Sequence, residues 1–274
     1  MIFNTVLNKN DFMFFQEVIT RESGIQIPET KFSLVQARLM RRMRSLNIAT
    51  YTDYRNFLDE NYYDEIENFV NCITTNKTEF FREKHHFEFM TESLFEDYRK
   101  QKKKKIRIWS AGCSTGEEPY SIAITCNSFF EKNEINDLKI LATDIDTDVL
   151  QKAEKGTYPF ESISFLEDKI VNKFFSRNEP DSDYFTVAEY LKANIRFRKL
   201  NLLNDRFPMK GPFDIIFCRN VIIYFDKASQ KKLFTNIYNL MHENSYLFIG
   251  HSESLNDMSN MFKLVGRSIY RKVI

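Results

Sequence analysis

Residues 107–120 read RIWSAGCSTGEEPY. The short apolar run Ile106 to Ser110 leads into Gly112, and a helix-compatible segment follows from Glu117 to Phe130. Strand, glycine turn and helix in that order make the first unit of a doubly wound sheet. Gly112 and Gly116 bracket Ser114 in a shortened glycine fingerprint, which lets the backbone turn tightly and approach a ligand closely. The glycine pair alone fits an ordinary strand-to-helix turn as well as a cofactor site. Glu117 and Glu118 narrow the choice. Two carboxylates suit the positive end of a helix dipole. They would repel a pyrophosphate, which speaks against a dinucleotide and for a cationic ligand.

The alternation continues downstream. Leu138–Thr143 reads as a strand, Thr147–Lys155 as a helix, FDIIFC (213–218) as a buried strand, 227–241 as a helix and SYLFI (245–249) as a strand. Two short strands follow near 261–265 and 269–273. This pattern predicts a parallel sheet with ligands at the carboxyl ends of its strands. Residues 172–197 interrupt it with strand-like pieces, Tyr184–Val187 and Asn194–Arg198, around a polar turn, and read as a small antiparallel excursion.

Upstream the pattern is helical. Phe12, Phe15, Val18 and Ile19 recur at helical spacing before Gly24. Phe32, Val35, Leu39, Met43 and Leu46 form the stripe of a second helix, whose other face carries Arg38, Arg41, Arg42 and Arg44. A third helix starts near Thr50, and a fourth carries Ile66, Phe69, Val70 and Ile73. TTNKTEFFR (74–82) precedes another helix reaching about Arg99, and Lys102–Lys105 reads as a linker or solvated turn. The expected division is a helical domain over 1–83 and an α/β domain over 84–274, with the β-excursion at 172–197.

The 274 residues are 43% hydrophobic with a net charge of +1, so a basic surface can only be local and nucleic acid is not an expected partner. Cys72, Cys113, Cys126 and Cys218 lack metal-site spacing and read as reduced thiols. The opening MIFNTVLNKNDF has no apolar leader core, and no run approaches the ~20 residues of a membrane span, so a cytoplasmic protein without membrane insertion is expected.

Two further motifs lie at strand ends. LATDID (141–146) places Asp144 one unit beyond the glycine turn, where an acidic residue accepts hydrogen bonds from a ribose, although either aspartate of the motif, taken alone, fits a cap as well as a ligand. Asp146 reads as the cap of the next helix. FDIIFCRNVIIYFD (213–226) exposes Arg219, Asn220 and Tyr224 after a buried strand, with Asp226 as a helix cap. GCSTG (112–116) also fits the Gly-x-Ser-x-Gly elbow of serine hydrolases. That reading needs an acid and a histidine, for which Asp214 and His242 or His251 are available without motif support.

Together TNKTEFFR (75–82), WSAGCSTGEEPYSIA (109–123), ATDID (142–146), PFDIIFCRNVIIYFD (212–226) and GHSES (250–254) resemble CheR-type chemotaxis receptor methyltransferases, in the family's order. The resemblance runs from about residue 10 to the C-terminus. It implies a small all-α domain joined to a Rossmann-like class I methyltransferase sheet carrying a small antiparallel β-subdomain. It implies S-adenosyl-L-methionine as methyl donor, S-adenosyl-L-homocysteine as product, and glutamate side chains of methyl-accepting chemotaxis receptors as acceptors. Carried over by motif position, the cofactor contacts are Asn76, Thr78, Arg82, Gly112, Glu118, Asp144, Asn201, Leu202, Arg219 and Asn220, with Glu117 an alternative to Glu118. Arg82 and Tyr224 stand nearest methyl transfer. Arg38, Arg41 and Arg42 offer a docking face for an acidic receptor helix, or simply a solvated face. Some members bind a receptor's C-terminal peptide through the β-subdomain, by a glycine-containing loop, whereas the turn RNEPDSD (177–183) has no glycine. A monomer is expected, and no metal.

Overall fold

A computed structural model describes residues 6–131 and 133–273. The leader reading of the N-terminus therefore falls partly on residues 1–5, outside the described residues. Four helices come first: α1 (Lys9–Ser23), α2 (Phe32–Leu46), α3 (Tyr51–Glu60) and α4 (Tyr62–Ile73). Asn8 caps α1 by accepting from the Asp11 N–H, and Thr50 caps α3 by accepting from Asp53. Their inner faces, including Phe15, Ile19, Leu39, Tyr54 and Phe69, share one core. Within it Glu65 is buried, takes both Arg42 Nε (2.8 Å) and Nη2 (2.5 Å), and accepts from Tyr54 Oη at 2.8 Å.

Gly24 ends α1 with φ +72, and a Cβ there would lie 1.7 Å from Leu203 Cδ1. The helical domain thus meets the sheet domain through a position that only glycine suits.

The chain continues through α5 (His85–Phe89), a π turn over Met90–Leu94, and α6 (Phe95–Lys100) into β1 (Lys105–Ala111). Lys102–Lys105 is a tight turn into this strand. Of the two readings of this run, linker or solvated turn, the turn holds, and Lys103 Nζ, 2.6 Å from Asp214 Oδ1, anchors it. There follow α7 (Glu117–Phe129), β2 (Asp137–Asp144), α8 (Thr147–Lys155), β3 (Thr157–Pro159), α9 (Asp168–Phe174), β4 (Phe175–Arg177), β5 (Tyr184–Val187) and α10 (Glu189–Lys192). The last elements are β6 (Ile195–Lys199), β7 (Phe213–Cys218), α11 (Lys227–Leu240), β8 (Met241–Ile249), β9 (Phe262–Gly266) and β10 (Ile269–Lys272).

The main sheet runs β6-β2-β1-β7-β8-β10-β9. The first five are mutually parallel, while β10 runs antiparallel to both its neighbours, β8 and β9. Every residue of β7 is buried, as expected for a central strand covered on both faces. From β1 the chain passes to β2 on one side and later to β7 on the other. The order therefore reverses at β1, which opens a crevice over the tips of β1 and β7.

The small sheet is β3-β5-β4, all antiparallel. Asn194–Arg198, read as part of this excursion, instead lies at the edge of the main sheet, where β6 pairs parallel to β2. Its alternating burial serves an edge strand equally well, so the pattern did not separate the two pairings. Thr157–Pro159 takes the vacated place; three residues are too few for a period to show.

Arg42→Ala would strand the buried Glu65 carboxylate. The helical domain is expected to lose about 2–3 kcal/mol, whereas the exposed Arg41→Ala should stay within about 0.5 kcal/mol. Urea unfolding of both variants tests the contrast; equal midpoints would contradict it.

Candidate active site

A cavity of about 470 Å³ lies over the tips of β1, β2 and β7 and beneath the α1–α2 connection. Gly112 opens the floor at φ +82, and a Cβ there would lie 2.4 Å from Val221 Cγ2. The Gly112 and Cys113 N–H groups both donate to the Thr143 carbonyl, at 2.8 and 2.9 Å, pinning the turn to β2. Ser114 then takes φ +50 and donates its N–H to Asp144 Oδ2 at 2.8 Å. The other carboxylate oxygen, Oδ1, accepts from the Asp146 N–H at 3.0 Å. Burial raises the Asp144 pKa, although these backbone donors oppose the shift.

Glu118, in the first turn of α7, faces the same cavity; Glu117 does not line it and accepts from Thr115 Oγ1 at 2.6 Å. Ser110 Oγ donates to Glu118 Oε1 at 2.7 Å, and Arg219 Nε lies 3.0 Å from Oε2. That last contact is an ion pair off the N–H axis, so the buried Nε lacks an aligned acceptor. Burial raises the Glu118 pKa, and Arg219 opposes it.

Asn220, at φ +58, and Tyr224 follow β7 into the cavity wall. Glu253 braces this loop. Its Oε2 accepts from Gly250 N (2.6 Å) and Asn220 N (3.0 Å), and its Oε1 from Ile222 N (3.1 Å). The opposite wall comes from the segment after α4. Thr74 Oγ1 and Asn76 Nδ2 each donate to Asp146 Oδ2 at 2.6 Å, and Ser114 Oγ donates to the Asn76 carbonyl at 3.0 Å. Thr78 and Arg82 line the cavity beyond, with Arg82 Nη1 donating to the Lys77 carbonyl at 3.0 Å. On the far side Leu202 is buried beside Asn201, which donates from Nδ2 to the Glu22 carbonyl at 2.7 Å. The Gln26 N–H donates to the Tyr224 carbonyl at 2.8 Å. The cavity is thus closed by both domains.

Asn76, Thr78, Arg82, Gly112, Glu118, Asp144, Asn201, Leu202, Arg219, Asn220 and Tyr224 all line this one cavity. The arginines of α2 disperse. Arg38 borders the cavity, donating to the Ile73 and Thr74 carbonyls and to Thr75 Oγ1, while Arg42 holds Glu65. Of the three expected to dock a partner, Arg41 is the one left exposed. Asp146 and Asp226 cap α8 and α11 as read.

A serine hydrolase does not fit. Asp214 sits at the opposite end of the sheet, accepting from the Arg107 N–H and Lys103. Ser114 Oγ donates to a backbone carbonyl, His242 is exposed against the Glu243 carbonyl, and His251 pairs with Glu83.

Three residues of the site had no role assigned from sequence: Glu253, Glu83 and His86. Glu253 works through backbone N–H groups, and Glu83 meets the N–H and ring of His251, far off in sequence; neither leaves a spacing signal. Glu253 lies inside the GHSES motif and Glu83 and His86 just after TNKTEFFR, and that proximity was the available hint.

A doubly wound sheet with a glycine turn after β1, an acidic tip on β2 and a second buried carboxylate on α7 defines a class I S-adenosylmethionine-dependent methyltransferase. The chain belongs to the CheR methyltransferase family: its SAM-binding domain matches residues 76–271 and its all-alpha domain residues 10–74. Curated relatives include chemotaxis protein methyltransferase 2 of Pseudomonas aeruginosa, 39% identical over 96% of this chain and 92% of the relative. The chemotaxis protein methyltransferase of Borreliella burgdorferi is 37% identical over 94% of this chain and 93% of its own. That of Escherichia coli is 37% identical over 96% and 91%.

The residues present fit S-adenosylmethionine. Buried Glu118 suits its ammonium, Asp144 its ribose hydroxyls, and the Arg219 guanidinium its carboxylate. Ionised Glu118 and Asp144 favour that ligand, the one by charge and the other as an acceptor, and both take up protons more readily than an ordinary carboxylate of pKa about 4. Affinity is therefore expected to fall with decreasing pH, beginning above that ordinary range, and less so in Asp144→Asn. Calorimetric titrations across the acidic range test this; an affinity unchanged down to pH about 4 would contradict it.

Proposed function

We propose that this enzyme methylates glutamate side chains in the cytoplasmic part of methyl-accepting chemotaxis receptors, forming glutamate methyl esters during adaptation. It acts as a cytoplasmic monomer, with a helical domain over residues 1–83 and a catalytic domain over 84–274. The observation that carries this reading is the convergence of Glu118, Asp144 and Arg219 with Arg82 and Tyr224 on one cavity at the strand tips.

In this reading Asp144 accepts from the ribose hydroxyls with the lone pairs its backbone donors leave over. Asn201 and Leu202 flank the adenine. Glu118 and Arg219 hold the ammonium and carboxylate of the methionine end, with Asn220 beside them. Asn76 and Thr78 close the linker side. When bound there, S-adenosylmethionine supplies a methyl group on a positively charged sulfur.

A solvated glutamate, of pKa near 4.3, is already ionised at neutral pH, so the acceptor needs no general base. The carboxylate oxygen forms a bond to the methyl carbon as the carbon–sulfur bond breaks, and the electron pair goes to sulfur. What the protein supplies is alignment and exclusion of water, effects worth about 7–11 kcal/mol in favourable systems. The Tyr224 hydroxyl donates to the attacking carboxylate. Arg82 adds charge at the mouth or orders the cofactor side, since too tight a grip on the carboxylate would stabilise the ground state.

Arg41, exposed on α2 as Arg44 also is, meets an acidic receptor helix, where charge aids encounter and register more than affinity. Arg38 and Arg42 support that surface from within.

Labelled cofactor and a receptor cytoplasmic fragment should give alkali-labile label; alkali-stable label would point to methylated amines instead. Tyr224→Phe is expected to cut kcat about 10- to 100-fold, the worth of a hydrogen bond to a charged group, with cofactor affinity unchanged. Unchanged turnover would remove the hydroxyl from the mechanism. Arg41→Glu should slow receptor methylation and flatten its salt dependence, and identical rates at low salt would exclude docking there.

A further inference from the structure

Behind Arg219 lies a closed polar cluster that the proposed reaction does not consume. His86, on α5, is fully buried. Its Nδ1 is 3.0 Å from Arg219 Nη1, and its Nε2 is 3.1 Å from Ser268 Oγ. A guanidinium has donors only, and Glu83 Oε2, at 3.5 Å from Nδ1, is beyond normal hydrogen-bond length, so Nδ1 carries the lone pair. The imidazole proton therefore sits on Nε2, facing Ser268 Oγ, and the ring also hydrogen-bonds the Arg267 backbone. Burial, and then the charge of Arg219, push the imidazole pKa down to about 3, so the neutral ring is the stable form.

Arg219 is thereby gripped from two sides. Glu118 Oε2 meets Nε at 3.0 Å, and His86 meets Nη1. The Phe87 and Phe217 rings lie 5.9 and 5.8 Å from the guanidinium carbon. Nothing in this arrangement is long-range charge alone; the tautomer of one ring sets the direction of one N–H.

Glu83, His85 and His86 also bring three metal-capable atoms within 4.8 Å of one another. A cation there would need the His86 lone pair that Arg219 already occupies, and would stand beside its positive charge. The cluster is built to seat an arginine.

We propose that His86 is a positioning residue, whose Nδ1 lone pair, fixed by the Ser268 contact to Nε2, aims Arg219 at the methionine end of the cofactor. This rests on the assignment of Arg219 to the cofactor site.

The test is calorimetric binding of S-adenosylhomocysteine to the full chain. Arg219→Ala should weaken binding. His86→Phe fills the same space among Phe217 and Phe248 without an acceptor, and is expected to weaken binding about 10-fold, the size of one buried hydrogen bond. His86→Asn returns an acceptor near the Nδ1 position and should recover most of that loss. In an Arg219→Ala background, His86→Phe should have no further effect, a result that general loosening of the fold would not produce. Should His86→Phe fail to fold, Ser268→Ala replaces it, with a smaller loss that likewise vanishes without Arg219. Losses that add, or an unchanged affinity in the His86 and Ser268 variants, overturn the positioning role alone. An unimpaired Arg219→Ala overturns the site assignment as well.

Discussion

The carboxylate of Asp146 joins the two halves of the molecule. Its Oδ1 accepts from the Asp148 and Val149 N–H groups and starts α8. Its Oδ2 accepts from Thr74 and Asn76, the residues that leave the helical domain. A buried carboxylate that met only one of these obligations would cost stability, because the unmet oxygen would be desolvated without a partner. Both are met, so the cap of one helix and the seat of the interdomain segment become one requirement. Thr78 and Arg82 lie a few residues beyond that seat, and their reach into the cavity follows from it. Two further ties, Asn71 Nδ2 to Thr147 Oγ1 at 3.0 Å and Lys199 to Glu67, hold the same seam.

Within the cavity the electrostatics are local. The chain carries 39 basic and 38 acidic side chains, so a long-range field cannot draw in the ligand. Selectivity instead comes from where the charges are buried. Glu118 and Asp144 are desolvated, which makes each a stronger partner for a cation at close range and a poorer carboxylate without one. Arg219 offsets Glu118 in part. A ligand with both an ammonium and a carboxylate at one end, and a positive sulfur beyond, suits a floor on which two acids and one arginine stand side by side.

The sheet was readable because its signals are long or repeated. FDIIFC is apolar throughout, as a doubly covered strand must be, and the glycine turn and acidic tip follow at fixed offsets. Asp146 was readable as a cap because capping is local, but its second bond, to a linker some 70 positions earlier in the chain, left no trace in spacing. The same division explains Arg42: charge on the polar side of a helix suggests solvent, yet a buried Glu65 from α4 claims it. Asn194–Arg198 shows the limit for strands. Alternation tells which face is covered, not which neighbour is paired, and parallel pairing to β2 depends on a register set across more than 50 positions.

Ser114 and Asn220, cavity residues other than glycine, are held at positive φ, as are Phe81 and Glu83 beside Arg82. Such conformations persist where the surroundings over-determine them. Here the determinants can be named: Asp144 for Ser114, Glu253 for Asn220, and Ser121, whose Oγ accepts from the Phe81 N–H at 2.9 Å. The bends of these loops are thus held by the protein's own hydrogen bonds. That suits a methyl transfer in which no proton must be abstracted from an ionised acceptor. The buried imidazole next to the site, His86, has its lone pair turned to Arg219 and is unfit as a base, and the catalytic task left to the protein is to hold three atoms in line.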